Sequence, residues 1–146
     1  MRKLRIFALL AFAVSLAGCR EVRVKEFAQG VTVAPRTSQI VIVRSERSLD
    51  DLGIHAPINF NHEFGVVLVM GPHRETGYRQ VIESIRANAN RVRIVAFERP
   101  PSGGGAPTSA YHTYTLWVIT NAVYQRGSIV DVVTPSGDTV ASLTLR

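Results

Sequence analysis

The clearest pattern along the chain is a period of two over Arg91–Glu98, where Val92, Ile94 and Ala96 alternate with Arg91, Arg93 and Val95. That spacing predicts a half-buried strand. Phe64–Met70, FGVVLVM, has no alternation and stops at Gly71-Pro72, so it predicts a central strand that is apolar on both faces. Gln39–Val43 and Tyr111–Ile119 are rich in β-branched and aromatic residues, as strands are. Ser128–Val133 and Thr139–Leu145 flank Pro135-Ser136-Gly137-Asp138 and predict a hairpin. Tyr78–Ala87 carries Val81, Ile82 and Ile85 at helical spacing. Asn88-Ala89-Asn90 and a clear strand follow it, so it reads as the first arm of a second hairpin. Ser48–Leu52 predicts a short helix capped by Ser48. Pro100–Pro107 is a loop on composition alone. The expected fold is mainly β, a small antiparallel sandwich or barrel-like sheet with one short helix, over residues 39–146.

A different pattern precedes it. Arg2, Lys3 and Arg5 stand without an acid before the unbroken apolar run Ile6–Val14. The run has the length of a signal-peptide core and falls short of the ~20 apolar residues that span a bilayer. Leu16-Ala17-Gly18-Cys19 then closes it with the only cysteine of the chain. This box resembles that of bacterial lipoproteins, which implies a signal peptide at 1–18, lipidation of Cys19 and membrane attachment through it. Acyl chains hold at ~0.8 kcal/mol per buried methylene. Residues 19–38 then read as a lipid-anchored tether with possible short strand character. Arg20 is not the aspartate associated with inner-membrane retention in enteric bacteria, which points to the outer membrane, facing the periplasm.

Composition adds little beyond this. Loss of residues 1–18 leaves 128 of the 146 residues, one domain's worth, and lowers the formal net charge from +6 to +3. The remaining charges are mixed in sign, so no nucleic-acid partner is expected. His55, His62, His73 and His112 match no zinc signature and read as surface or turn histidines. Gly103-Gly104-Gly105 lacks the lysine of a phosphate loop. No nucleophile elbow is present. We therefore expect no catalytic residue, cofactor, metal or small-molecule substrate. Gly71, Thr76, Gly77 and Tyr78 read as structural turn positions, with glycine permitting positive φ. Trp117, Tyr111 and Tyr114 read as core and rim aromatics. The candidate partner surface is the loop Arg99, Pro100, Pro101, Gly103, Gly104 and Gly105, together with Tyr111 and His112 on an adjoining edge strand.

Two stretches carry family resemblances. APINFNHEFGVVLVMGPHRETGYRQVIESI and VAFERPPSGGGAPTSAYHTY are similar to the C-terminal domain of the PrcB family of protease-complex-associated lipoproteins. Pro57, Asn59 and Phe60 stand before the apolar strand, Gly71 after it, and Thr76-Gly77-Tyr78 at the following turn. Thr108-Ser109-Ala110-Tyr111 comes after the Pro/Gly loop. Asn59 replaces the usual acid, one glycine of the turn is missing, and Ala110 replaces a proline. The resemblance implies a non-enzymatic, lipid-anchored, β-rich module that binds or stabilises another envelope protein, with a protease complex as one such partner. Thr76-Gly77-Tyr78 with a Gly-rich loop also resembles chagasin-type cysteine-protease inhibitors. That resemblance implies the alternative of inhibition through the 73–78 and 101–107 loops.

Overall fold

The structure, a computed structural model, describes residues 25–34, 37–88, 90–121 and 126–146. The segment 1–18 and Cys19 lie outside the described residues. The described chain forms a β-sandwich of two four-stranded sheets with one short helix and no closed barrel. The strands are β1 (Lys25–Thr32), β2 (Gln39–Val43), β3 (Glu63–Glu75), β4 (Arg79–Asn88), β5 (Arg91–Arg99), β6 (Pro107–Thr120), β7 (Ile129–Val133) and β8 (Thr139–Thr144); α1 is Glu46–Asp50. The first sheet runs β1-β6-β3-β2 and the second β4-β5-β7-β8.

β3 and β6 form the backbone of the first sheet, pairing Phe64 with Ile119, Val66 with Trp117, Leu68 with Thr115 and Met70 with Thr113. Phe64, Val66, Leu68 and Met70 face the second sheet, where Ile94, Ala96, Val130 and Val132 meet them. Val67 and Val69 face the other way, into a second cluster with Leu116, Val118, Leu49, Leu52, Ile54 and Ile58. The helix and the segment after it thus cover the outer face of the first sheet. This is why FGVVLVM is apolar without alternation: every residue from Phe64 to Met70 is buried. β4 and β5 pair antiparallel, so the helical spacing in 78–87 belongs to a hairpin arm. A register shift between Ile82 and Ser84 explains the broken alternation. β7 and β8 close the second expected hairpin, with Gly137 at φ +97° and Thr134 N–H donating to the Asp138 carbonyl at 2.8 Å.

Three expectations are corrected. Ser45, not Ser48, caps the helix: its hydroxyl accepts from the Ser48 N–H at 3.3 Å, and Leu49 is the apolar anchor. Residues 25–32, inside the stretch read as tether, form β1 and pair with β6 from Lys25–Val118 to Thr32–His112. Gly30 weakens the strand pattern there, yet a Cβ on it would stand 2.8 Å from the Tyr114 hydroxyl, so only glycine lets that ring lie across the strand. β6 is not an edge strand, since β1 and β3 flank it; the edges are β1, β2, β4 and β8. Within the expected sandwich one pair, β5 and β7, runs in parallel.

Candidate functional site

The two sheets do not meet through apolar contacts along their whole length. Toward one end of the sandwich the inward positions become polar. On β5 the inward phase Val92, Ile94, Ala96 continues to Glu98, and on β4 the residue two before Ile82 is Gln80. On β6 the phase of Trp117 continues to Thr115 and Thr113. These side chains satisfy one another. The Gln80 amide donates to the carbonyls of Leu68 at 3.2 Å and Thr113 at 3.0 Å, while its oxygen accepts from the Thr115 hydroxyl at 2.7 Å. Gln29 of β1 donates to Thr115 at 3.1 Å. The Glu98 carboxylate accepts from the Thr113 hydroxyl and from Nε2 of His73, the latter at 2.7 Å. Both partners of that last pair are mostly covered, with side chains 12% and 15% exposed. A hydrogen bond to a carboxylate in such a setting is stronger than a neutral one.

The polar seam runs out into the loops. The His73 ring stacks on Tyr78, with centroids 3.9 Å apart and planes 9° from parallel, and its other neighbour Tyr111 is tilted at 5.7 Å. The Tyr111 hydroxyl donates to the Glu75 carbonyl at 2.8 Å and accepts from the Tyr78 N–H at 3.3 Å. One phenol therefore holds both sides of the 75–78 turn. Gly77 makes that turn at φ +97°, and Pro101 packs so closely over it that a Cβ would come within 2.8 Å of the proline Cβ. The Thr76 N–H donates to the Ala106 carbonyl at 2.9 Å, and the Ala106 N–H donates back to the Thr76 hydroxyl at 3.1 Å. A Cβ on Gly105 would run into the Thr76 carbonyl oxygen. The 73–78 turn and the 100–106 loop are thus one joined tip.

The candidate residues divide accordingly. Arg99, Pro100, Gly103 and Gly104 are exposed on the tip, and Pro101 and Gly105 are half-buried against the turn. Gly103 and Gly104, both at φ +84°, stand in open space. Tyr111 and His112 are corrected out of the exposed surface: they are 9% and 3% exposed and support the tip from behind. The strand that carries them enters the interior of the sheet, where long apolar and aromatic side chains are drawn inward. Gly71 lies at φ +126° inside β3, where the register shifts between Met70 and His73, and its N–H and carbonyl meet the Ser38 hydroxyl at 3.3 and 3.0 Å. His73, read as a surface or turn histidine, is a seam residue, and Gln80, Glu98, Thr113 and Thr115 were not singled out. Strand phase was the available signal for Glu98, which continues Val92-Ile94-Ala96.

Among the described residues no group of three or more His, Cys, Asp or Glu side chains could hold a metal ion, and no helix is long and apolar enough to cross a membrane. No protein-family model, no curated protein and no solved structure matches the chain.

Proposed function

We propose that the chain is a lipid-anchored protein of the bacterial cell envelope whose sandwich is a non-enzymatic module that binds or steadies another envelope protein, a protease complex being one such partner. The anchoring rests on the 1–19 pattern, and the binding role on the joined tip. The observation that carries the reading is the direction in which the seam's polar groups are spent. Gln80, Thr113, Thr115, Glu98, His73 and Tyr111 bond inward to each other and to backbone, and what faces outward is a braced pair of loops. Preorganised loops lose little freedom on binding, so more of their contact energy appears as affinity.

The test is photo-crosslinking in intact cells from probes at Thr76 and Ser102, with a probe at Glu83 on the edge strand β4 as control. A discrete partner band from the tip positions alone is the expected result. Bands of equal strength from Glu83 overturn the assignment. A Cys19→Ser chain should leave the membrane fraction or remain unprocessed. One that is still cleaved after Gly18 and still membrane-bound removes the anchor.

A second reading, protease inhibition, is favoured by one observation, the Thr76–Ala106 hydrogen bonds that put the 73–78 and 101–107 loops side by side. Titration of the chain into a papain-like protease assay separates the two. Stoichiometric inhibition selects this reading, and unchanged turnover rejects it.

A further inference from the structure

The strands of the sandwich define two ends, and their charges differ. The end with the tip also holds the turn after β7. Arg74, Arg79 and Arg99 stand there against Glu75, Glu98 and Asp138, in balance. The other end is where β1 begins, where β6 and β2 finish, and where β5 and β7 start. Arg44 and Arg47 line one shallow concavity there with Asn61. Arg44 donates to the Arg146 carbonyl at 3.2 Å, and the Gly127 N–H donates to the Leu145 carbonyl at 2.7 Å, which brings Arg126 to the same end. Arg86 and Arg93, directly opposite each other on β4 and β5, stand one pleat further in. All six arginines are exposed. Among the described residues Glu26, Glu46 and Glu63 are acids placed at this end, and Asp131, opposite Arg93 on β7, pairs with Arg91 at 3.1 Å. Like-charged arginines facing each other across a strand pair repel, and an external anion relieves that repulsion.

Chain length says what such a surface can reach. Lys25 opens β1 at this end and stands six residues after Cys19. At the ~3.3–3.6 Å that an extended residue spans, the connection reaches roughly 20 Å at most. With Cys19 acylated, the nearby end of the sandwich is confined to the region next to the bilayer, and surface charges interact there within a screening length of about 8–10 Å.

We infer that the arginine-rich end docks on an anionic phospholipid surface, holding the sandwich upright with the tip turned away from the membrane. This rests on the anchoring reading of the previous subsection. It goes beyond that reading by giving the module an orientation and a second, electrostatic contact with the lipid. Residues 25–32, being a strand of the sheet, leave too short a connection for free tumbling at the end of a long tether.

The test uses the full acylated chain in vesicles of phosphatidylcholine, with and without a minority of phosphatidylglycerol. A fluorophore is placed through Asn61→Cys at the arginine end or Ser102→Cys at the tip, with nitroxide-headgroup lipid as quencher. In anionic vesicles at low salt the Asn61 label should be quenched several-fold more strongly than the Ser102 label. Arg47→Glu with Arg126→Glu, or high salt, should erase the difference while the chain still floats with the vesicles. Floating with equal quenching at both labels overturns the orientation, and a difference that survives the charge reversals and high salt overturns the electrostatic contact; either outcome leaves the anchoring standing. A chain that does not float with zwitterionic or anionic vesicles overturns the anchoring and the orientation with it.

Discussion

Trp117 on β6 and Glu98 on β5 both point into the space between the two sheets, and the sandwich treats them in opposite ways. Trp117 is fully buried among Phe64, Val66, Ile94 and Val130, and its indole N–H has no hydrogen-bond partner among the described residues. Glu98 is partly covered and bonded by His73 and Thr113. The Trp117 half is held by apolar area removed from water, which is strong and indifferent to direction. The Glu98 half is held by directional bonds, each modest in net stability but costly to leave half-made. Area gives the sandwich its stability; the bonds fix where the loops sit.

The largest effect expected is on the apolar half. Trp117→Ala should cost ~3–5 kcal/mol in denaturant unfolding, as large-to-small changes in a closed core do. Trp117→Phe should recover most of it, because the lost N–H makes no bond. Gln80→Ala comes next, at about 1–3 kcal/mol, since it strips the acceptor of Thr115 and a donor to two carbonyls. If both substitutions moved the tip equally, the division between the halves would be gone.

How far this was legible in the sequence differs between the halves. The apolar half was: FGVVLVM announced a strand buried on both faces, and 91–98 announced its phase by alternation. β1 was obscured because Gly30, which the Tyr114 ring requires, looks like a linker residue. The threonines of β6 resemble the solvent-facing positions of an edge strand, whereas Thr113 and Thr115 are buried and bonded across the sheets. The joined tip was half legible. Its glycines and turn were evident, but the partners that brace it, His73, Glu98 and Tyr111, come from three strands and no local pattern links them.

Smaller effects sharpen the account of the tip. Gly77→Val should lower stability by at least ~1–2 kcal/mol, the cost of a β-carbon at positive φ, with the Pro101 contact adding to it. Gly103→Ala meets no neighbour and should show the backbone cost alone. Equal melting temperatures for the two would contradict the packing of Pro101 on the turn. Tyr78→Phe should be the mildest, within about 0.5 kcal/mol, because the ring stack on His73 survives the loss of the hydroxyl.

The claim that the seam holds the tip is tested most directly by site-resolved amide hydrogen exchange in Glu98→Ala. Charge-assisted bonds of this kind are worth about 1.5–3 kcal/mol, and ~1.4 kcal/mol is a tenfold change in an opening equilibrium. Exchange at Thr76 and Ala106, whose N–H groups tie the two loops together, should therefore rise about tenfold or more. Val67 and Leu116, in the cluster on the other face of the first sheet, should change by a much smaller factor. Wild-type rates at Thr76 and Ala106, or a rise matched at Val67 and Leu116, would contradict it.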